Sequence, residues 1–323
     1  MLTRRHVLKS SAAVLAVGVS SARAQADWPN KPVKVIVPYP PAGGADTTAR
    51  ILFQKLGEMW GKSFVIDNRG GAGGTIGEAI AAKSDPDGYT ILHDATAYSV
   101  NPALYPKLSF DYGKDFEPVF LASLVPNILV VTPSVEVKTV ADIVELAKKT
   151  PGGLDFASSG NGTLQHLCLE LLKFMAKVPI NHIPYRGGGL ALNDVIAGQV
   201  KFFFSNGSAS VGLVQGGKIK AIAHTGKGRL GTLPDLPAVQ DTIPGFEGYE
   251  WNGEFVPKGT PPEIVKKLNA GLNEVLKQPD VIARFKALNI DARQNTPEEF
   301  RKFVADETEK WGKIVSEAGI KLG

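Results

Sequence analysis

With 323 residues, 43% of them hydrophobic and 21% charged, the chain has the make-up of a globular protein large enough for two ordinary domains or a single big one. Its formal net charge of +4 sits in the first two dozen residues: without Arg4, Arg5, Lys9 and Arg23, 32 basic residues face 32 acidic ones. The basic balance therefore belongs to the leader and is no sign of a nucleic-acid or membrane partner, so no nucleic acid is expected, and the single cysteine, Cys168, excludes an internal disulfide.

In chain order, the basic start "MLTRRHVLKS", the short apolar run "SAAVLAVGVSS" and "ARA" at Ala22–Ala24 form an export leader with a small-x-small cleavage site. Cleavage is expected after Ala24, releasing a mature protein into the periplasm. "TRRHVLK" resembles a twin-arginine signal with Val7 in place of the usual Phe, and the ordinary secretory route stays open beside it. No later segment approaches a membrane span in length, so the mature chain is expected not to be membrane-embedded.

From there strands and helices alternate. "VKVIVPY" (33–39) reads as a strand, "TTARILFQKLGEMWG" (47–61) as a helix, "FVIDNR" (64–69) as a strand, "TIGEAIAAKS" (75–84) as a helix and "YTILHD" (89–94) as a strand. After an irregular stretch come "NILVVT" (127–132) and the helix "TVADIVELAKK", which opens on a Thr139/Asp142 capping pair. The rhythm continues through "LDFASS", "LQHLCLELLKFMA", "INHIPYR", "LALNDVIAG", "VKFFFSN", "ASVGLVQGG" and "IKAIAHT". Residues 230–263 break it, and two amphipathic helices close the chain, the last with a Thr296/Glu299 capping box. The pattern predicts an α/β fold of mixed or parallel sheets flanked by helices. We expect a first lobe over 25–124, a second over 125–250, and a return of 251–323 to the first.

Ligands of open α/β sheets bind beyond the carboxyl ends of the strands. There this chain places small polar loops, most of them with glycine: "PPAGGADT" with Pro41, Gly43 and Gly44; "GGAGGT" with Ala72 and Gly73; "ATAYS"; "SGNGT" with Ser159, Gly160, Asn161 and Thr163; "RGGG" with Arg186 and Gly187; and "NGS", which begins at Asn206. Exposed N–H groups at helix starts attract anions, although any one such loop is also what a tight turn requires. Asp46, just before Thr47, reads as a helix cap or loop brace ahead of a general base. His166 reads equally as a packed side chain or a cleft contact. His93, His182 and His224 have no partner at metal-ligand spacing, and no HExxH, CxxC or GxSxG occurs. The expectation is no catalysis, no metal and no cofactor. The alternative is an exported NAD(P)-dependent oxidoreductase using Gly71–Gly77, but that loop follows the second strand, whereas the dinucleotide fingerprint follows the first.

In sequence order, "DWPNKPVKVIVPYPPAGGADTTAR", "VIDNRGGAGGTIGEAIAAKSDPDGYTIL", "NPALYPKLSFDYGKDFEPV", "HIPYRGGGLALNDVIAGQV", "GGKIKAIAHTG" and "FVPKGTPPEIVKKLN" resemble the solute receptors of tripartite tricarboxylate transporters, the Bug-type periplasmic binding proteins. The resemblance covers essentially the whole mature chain. It implies a two-lobed, type II-like periplasmic binding-protein fold, a monomer, with a ligand cleft between the lobes. It also implies a small carboxylate as ligand and a membrane permease as partner. The carboxylate would be held by backbone and water-bridged contacts from Ala42, Gly43, Gly44, Asp46 and Thr47, with Ala72, Gly73, Thr96, Ala97 and Tyr98 nearby. From the second lobe, Ser159–Thr163, Arg186, Gly187, Ser205 and Asn206 would complete the site. Ser205 stands where many members carry Asp, which implies the loss of a partner for a ligand ammonium. Tyr39, Tyr98 and Trp251 could supply an apolar wall, which favours an aliphatic or aromatic acid.

Overall fold

A computed structural model describes residues 28–41, 43–288 and 290–321; the leader and Ala42 lie outside the described residues. Strand β1 (Val33–Val37) pairs in parallel with β2 (Phe64–Asn68) and β3 (Thr90–Ala95). The helices α1 (Gly44–Trp60), α2 (Thr75–Ala82) and α3 (Ala97–Leu104) follow these strands in turn. β4 (Phe116–Val131) leads through α4 (Val140–Lys149) into a second α/β set. That set comprises β5 (Leu154–Ser158), α5 (Leu164–Ala176), β6 (Ile180–Pro184), α6 (Gly188–Ala197), β7 (Phe202–Asn206), α7 (Gly207–Gln215) and β8 (Lys220–His224). β9 (Tyr249–Pro257) and the helices α8 (Pro262–Val275), α9 (Pro279–Ala287) and α10 (Pro297–Glu317) complete the chain.

The strand order is β2-β1-β3-β9-β4-β7-β5-β6, with β8 on β4. Two antiparallel strands at the centre join the lobes. The first part of β4 pairs with β9, and its end (Asn127–Val131) turns to pair with β7 and β8. The sequence pattern gives this strand only from Asn127, after an irregular stretch. The strand in fact starts at Phe116, and the register shifts between Pro118 and Phe120 and between Leu121 and Ser123 absorb the irregularity. β9 was hidden in the stretch read as irregular, and α9 was not expected at all.

Each lobe has its own core. Val33, Val35, Phe53, Leu268 and Leu272 pack in the first; Leu129, Phe156, Leu167, Cys168 and Phe204 pack in the second. The expected return of 251–323 to the first lobe does not describe α10. Phe300 and Val304 pack with Trp251 and Phe255, whereas Trp311, Ile314 and Val315 pack with the second-lobe core. At 21 residues the helix is long enough to strap both lobes.

Candidate functional site

The carboxyl ends of β1, β3, β5, β6 and β7 all lead directly into the loops singled out in the sequence. Pro41, Gly43 and Gly44 are exposed, and Gly43 caps α1 in an extended conformation, with the Thr47 N–H closing the first turn on its carbonyl at 2.9 Å. Asp46 is a brace. Its carboxylate accepts from Arg50 Nε at 2.9 Å and Asn68 Nδ2 at 3.0 Å, and only 2% of the residue is exposed. Tyr39 reaches past the loop and donates its hydroxyl to Asp94 Oδ1 at 2.8 Å.

The residue that meets this helix start is Glu250, at the beginning of β9, which sequence reasoning did not select. Its Oε1 lies 3.7 Å from where a Cβ on Gly44 would sit. Its Oε2 accepts from Gln165 Nε2 at 3.0 Å and from Asn206 Nδ2 at 2.8 Å. Gln165 is the second residue of α5, and Asn206 is the cap of α7, whose Oδ1 accepts the Ser208 N–H at 2.9 Å. One half-buried carboxylate thus lies near three helix starts, held by side-chain amides from two of them, and helix starts favour negative charge. Thr96 fixes the strand beneath it: its Oγ1 donates to the Tyr249 carbonyl at 3.2 Å and accepts from the Trp251 N–H at 3.1 Å, flanking Glu250.

Several expected contacts are corrected. Trp251 and Tyr98 do not form a cleft wall. Trp251 is fully buried, and Tyr98 stacks on Phe255 at 4.0 Å between ring centroids, with 2% exposure. Tyr98 also lines a separate hollow of about 800 Å³ with Tyr105, Phe110, Tyr112 and Arg301. The cause is strand alternation: Trp251 and Phe255 point into the core, which turns Glu250 to the other face. That period of two was readable in "YEWNGEF", had the strand been recognised.

Thr163 is a helix cap. Its hydroxyl donates to the Gly160 carbonyl at 2.8 Å, and its oxygen receives the His166 N–H at 3.4 Å. His166 is a packed side chain: it stacks on His182 at 3.8 Å and accepts the Gly162 N–H at Nδ1, 3.1 Å away. Burial, helped by the neighbouring His182, pushes its pKa down to about 3. Ser205 is 1% exposed and turns its hydroxyl to the Asn206 carbonyl at 3.4 Å. Ser159 lies against the start of α6, Gly187 caps that helix at φ 121°, and Arg186 and Asn161 are exposed at the rim. Ala97 is half-buried at the start of α3.

Ala72 and Gly73 form a left-handed turn with φ of 47° and 67°, and the Gly73 carbonyl accepts from Asn101 Nδ2 at 3.0 Å. The glycines of this loop have packing reasons. A Cβ on Gly77 would lie 2.8 Å from both the Arg69 carbonyl and Pro38. The first turn of α2 carries Glu78, which bonds Tyr112; burial, then the charge of Asp94, raises its pKa well above the carboxylate range. Among the described residues, no group of three His, Cys, Asp or Glu is placed to hold a metal, and no helix is long and apolar enough to cross a membrane.

Known proteins share this architecture and sequence. A family profile described as "Tripartite tricarboxylate transporter family receptor" matches residues 48–320. A protein encoded in the tcbD-tcbE intergenic region of a Pseudomonas species is 37% identical, over 97% of this chain and 94% of that one. The R. palustris protein Rpa4515, solved with adipate, is 34% identical with a TM-score of 0.84, covering 92% of this chain and 100% of that one. The periplasmic binding protein BugD is 33% identical with a TM-score of 0.81, covering 91% and 100%. The chain belongs to the tripartite tricarboxylate transporter receptor family, the Bug-type periplasmic binding proteins, and has their two-lobed α/β fold.

Proposed function

We propose that this protein captures a small aliphatic carboxylate in the cleft between its lobes and hands it, chemically unchanged, to a membrane permease. The single observation that carries the reading is the grip on Glu250: amide side chains at the starts of α5 and α7 hold one carboxylate with neutral donors, beside the start of α1. A ligand carboxylate would use the N–H groups of Gly44 and Ala45 at this helix start and bridging water. The aliphatic choice follows from Trp251 and Tyr98 lying in the core, where neither offers an aromatic wall. The protein acts as a monomer without metal or cofactor. It is exported by its leader, which is cleaved after Ala24.

Dinucleotide chemistry at Gly71–Gly77 is disfavoured. β2 is an edge strand, the helix behind the loop is short, and buried Glu78 occupies the turn that would receive a pyrophosphate. The test is a thermal-shift screen of periplasmic protein against aliphatic and aromatic carboxylates, their methyl esters and NAD(P). The reading expects stabilisation by an aliphatic acid and none by its ester. Stabilisation by NAD(P) alone, or conversion of the acid during the experiment, would refute it.

A further inference from the structure

The same grip bears on which acid is taken, an inference that rests on the receptor reading. Both donors to Glu250, Gln165 Nε2 and Asn206 Nδ2, are uncharged amides and both go to Oε2. They orient the carboxylate without cancelling its charge, and Oε1 is left beside Gly44 at the start of α1. Thr96 holds the backbone on either side, so the side chain has little room to be carried away by the strand. A ligand carboxylate seated at the start of α1 would stand close to this half-buried carboxylate, and like charges at short range disfavour each other. A hydrogen-bond donor or a positive charge on the carbon next to that carboxylate removes the conflict, because it lies between the two anions and serves Oε1.

We infer that Glu250 sets the selectivity of the cleft, pairing through Oε1 with an ammonium or hydroxyl group on the carbon next to the ligand's anchored carboxylate. The receptor then prefers 2-amino or 2-hydroxy acids to the plain acids of the same length. This reverses the expectation drawn from Ser205. The acid missing at that position is supplied from β9, on the other side of Asn206.

Two matched series test the inference by calorimetry on protein recovered from the periplasm: succinate, malate and aspartate; and adipate, 2-hydroxyadipate and 2-aminoadipate. The wild type should bind a substituted acid roughly tenfold or more tightly than its plain parent in at least one series, with the amino and hydroxy arms identifying the donor. Glu250→Gln, which keeps the size and one acceptor, should remove most of that preference. Gln165→Met, which loosens the grip and leaves the charge in place, should narrow it. Equal binding of plain and substituted acids by the wild type would overturn the inference and leave the receptor reading standing. So would uniformly tighter binding of every acid by Glu250→Gln, since Glu250 would then be a competitor for the anion site. Binding of no member of either series by wild type or variants would overturn the inference, while a positive thermal-shift screen would show that the receptor reading survives.

Discussion

At the residue scale, side chains that look like ligand contacts are mostly occupied with holding the loops. Thr163 shows the difference. Its one hydroxyl proton goes to the Gly160 carbonyl and its oxygen caps α5, so Thr163→Ala should cost about 1 kcal/mol of stability, the worth of a helix cap. Its effect on ligand affinity should be smaller than that loss, which paired urea melts and calorimetry would show. Gly43 behaves in the opposite way. Its φ of −79° suits any residue, and a Cβ there would meet only the Pro40 carbonyl at 3.6 Å. Gly43→Val should therefore leave the melting curve nearly unchanged and weaken carboxylate binding, by blocking approach to the turn. The stacked histidines give a pH signature. Burial lowers the His182 pKa to about 4, as it lowers that of His166 to about 3, whereas the unfolded chain protonates both near 6.5. The unfolded state thus binds more protons below about 6.5, and this pair's contribution to stability is lost on acidification through about 4 and 3. Asp94, raised by burial to about 6, acts with the opposite sign, favouring the folded state as pH falls through 6. His182→Gln isolates the first effect: its urea midpoint should fall less than the wild type's between pH 7 and pH 4.

At the element scale, β9 is the part on which the site depends. It lies between β3 and β4, carries Glu250 at its start and packs Trp251 and Phe255 against α10. Gly253 lets that happen, because a Cβ there would run into the Phe300 ring. Gly253→Ala should destabilise the protein by about 1–3 kcal/mol, the usual cost of overpacking a core. Gly253→Ala combined with Phe300→Leu should recover part of that loss; a double variant no better than the single one would mean that the clash lies elsewhere. The strand escaped sequence analysis because its polar face (Glu250, Asn252 and Glu254) and its glycine dilute the β-branched signal. Inside the fold that face finds partners: Glu254 Oε1 pairs with His93 Nδ1 at 2.9 Å with both side chains fully buried, although Glu254 Oε2 and His93 Nε2 have none among the described residues, and Asn252 bonds Ser123 at 3.0 Å. The partners lie 161 and 129 positions away in sequence, beyond the reach of any local pattern.

For the whole molecule, β4 runs from one sheet pairing into the other and α10 packs on the cores of both lobes, which ties the two lobes together. Ligand binding in the cleft should be read as stability of the entire fold: a selected acid at a hundred times its dissociation constant adds about 2.7 kcal/mol. The expected outcome is one cooperative melt that moves upward as a unit; a shift confined to one of two separate transitions would argue against coupled lobes. The sequence by itself determined the α/β alternation, the loops at the carboxyl ends of the strands, the capped helix starts and, through the order of its motifs, the family. Those features are local, set by hydrophobic period, glycine and capping chemistry within a few residues. Only the tertiary structure decided how the side chains of these loops are used. Tyr98 and Trp251 went to the core, Thr163 and His166 to bracing, and Glu250 came to the centre, because burial and hydrogen-bond partners are assigned by strands and helices that meet from opposite ends of the chain.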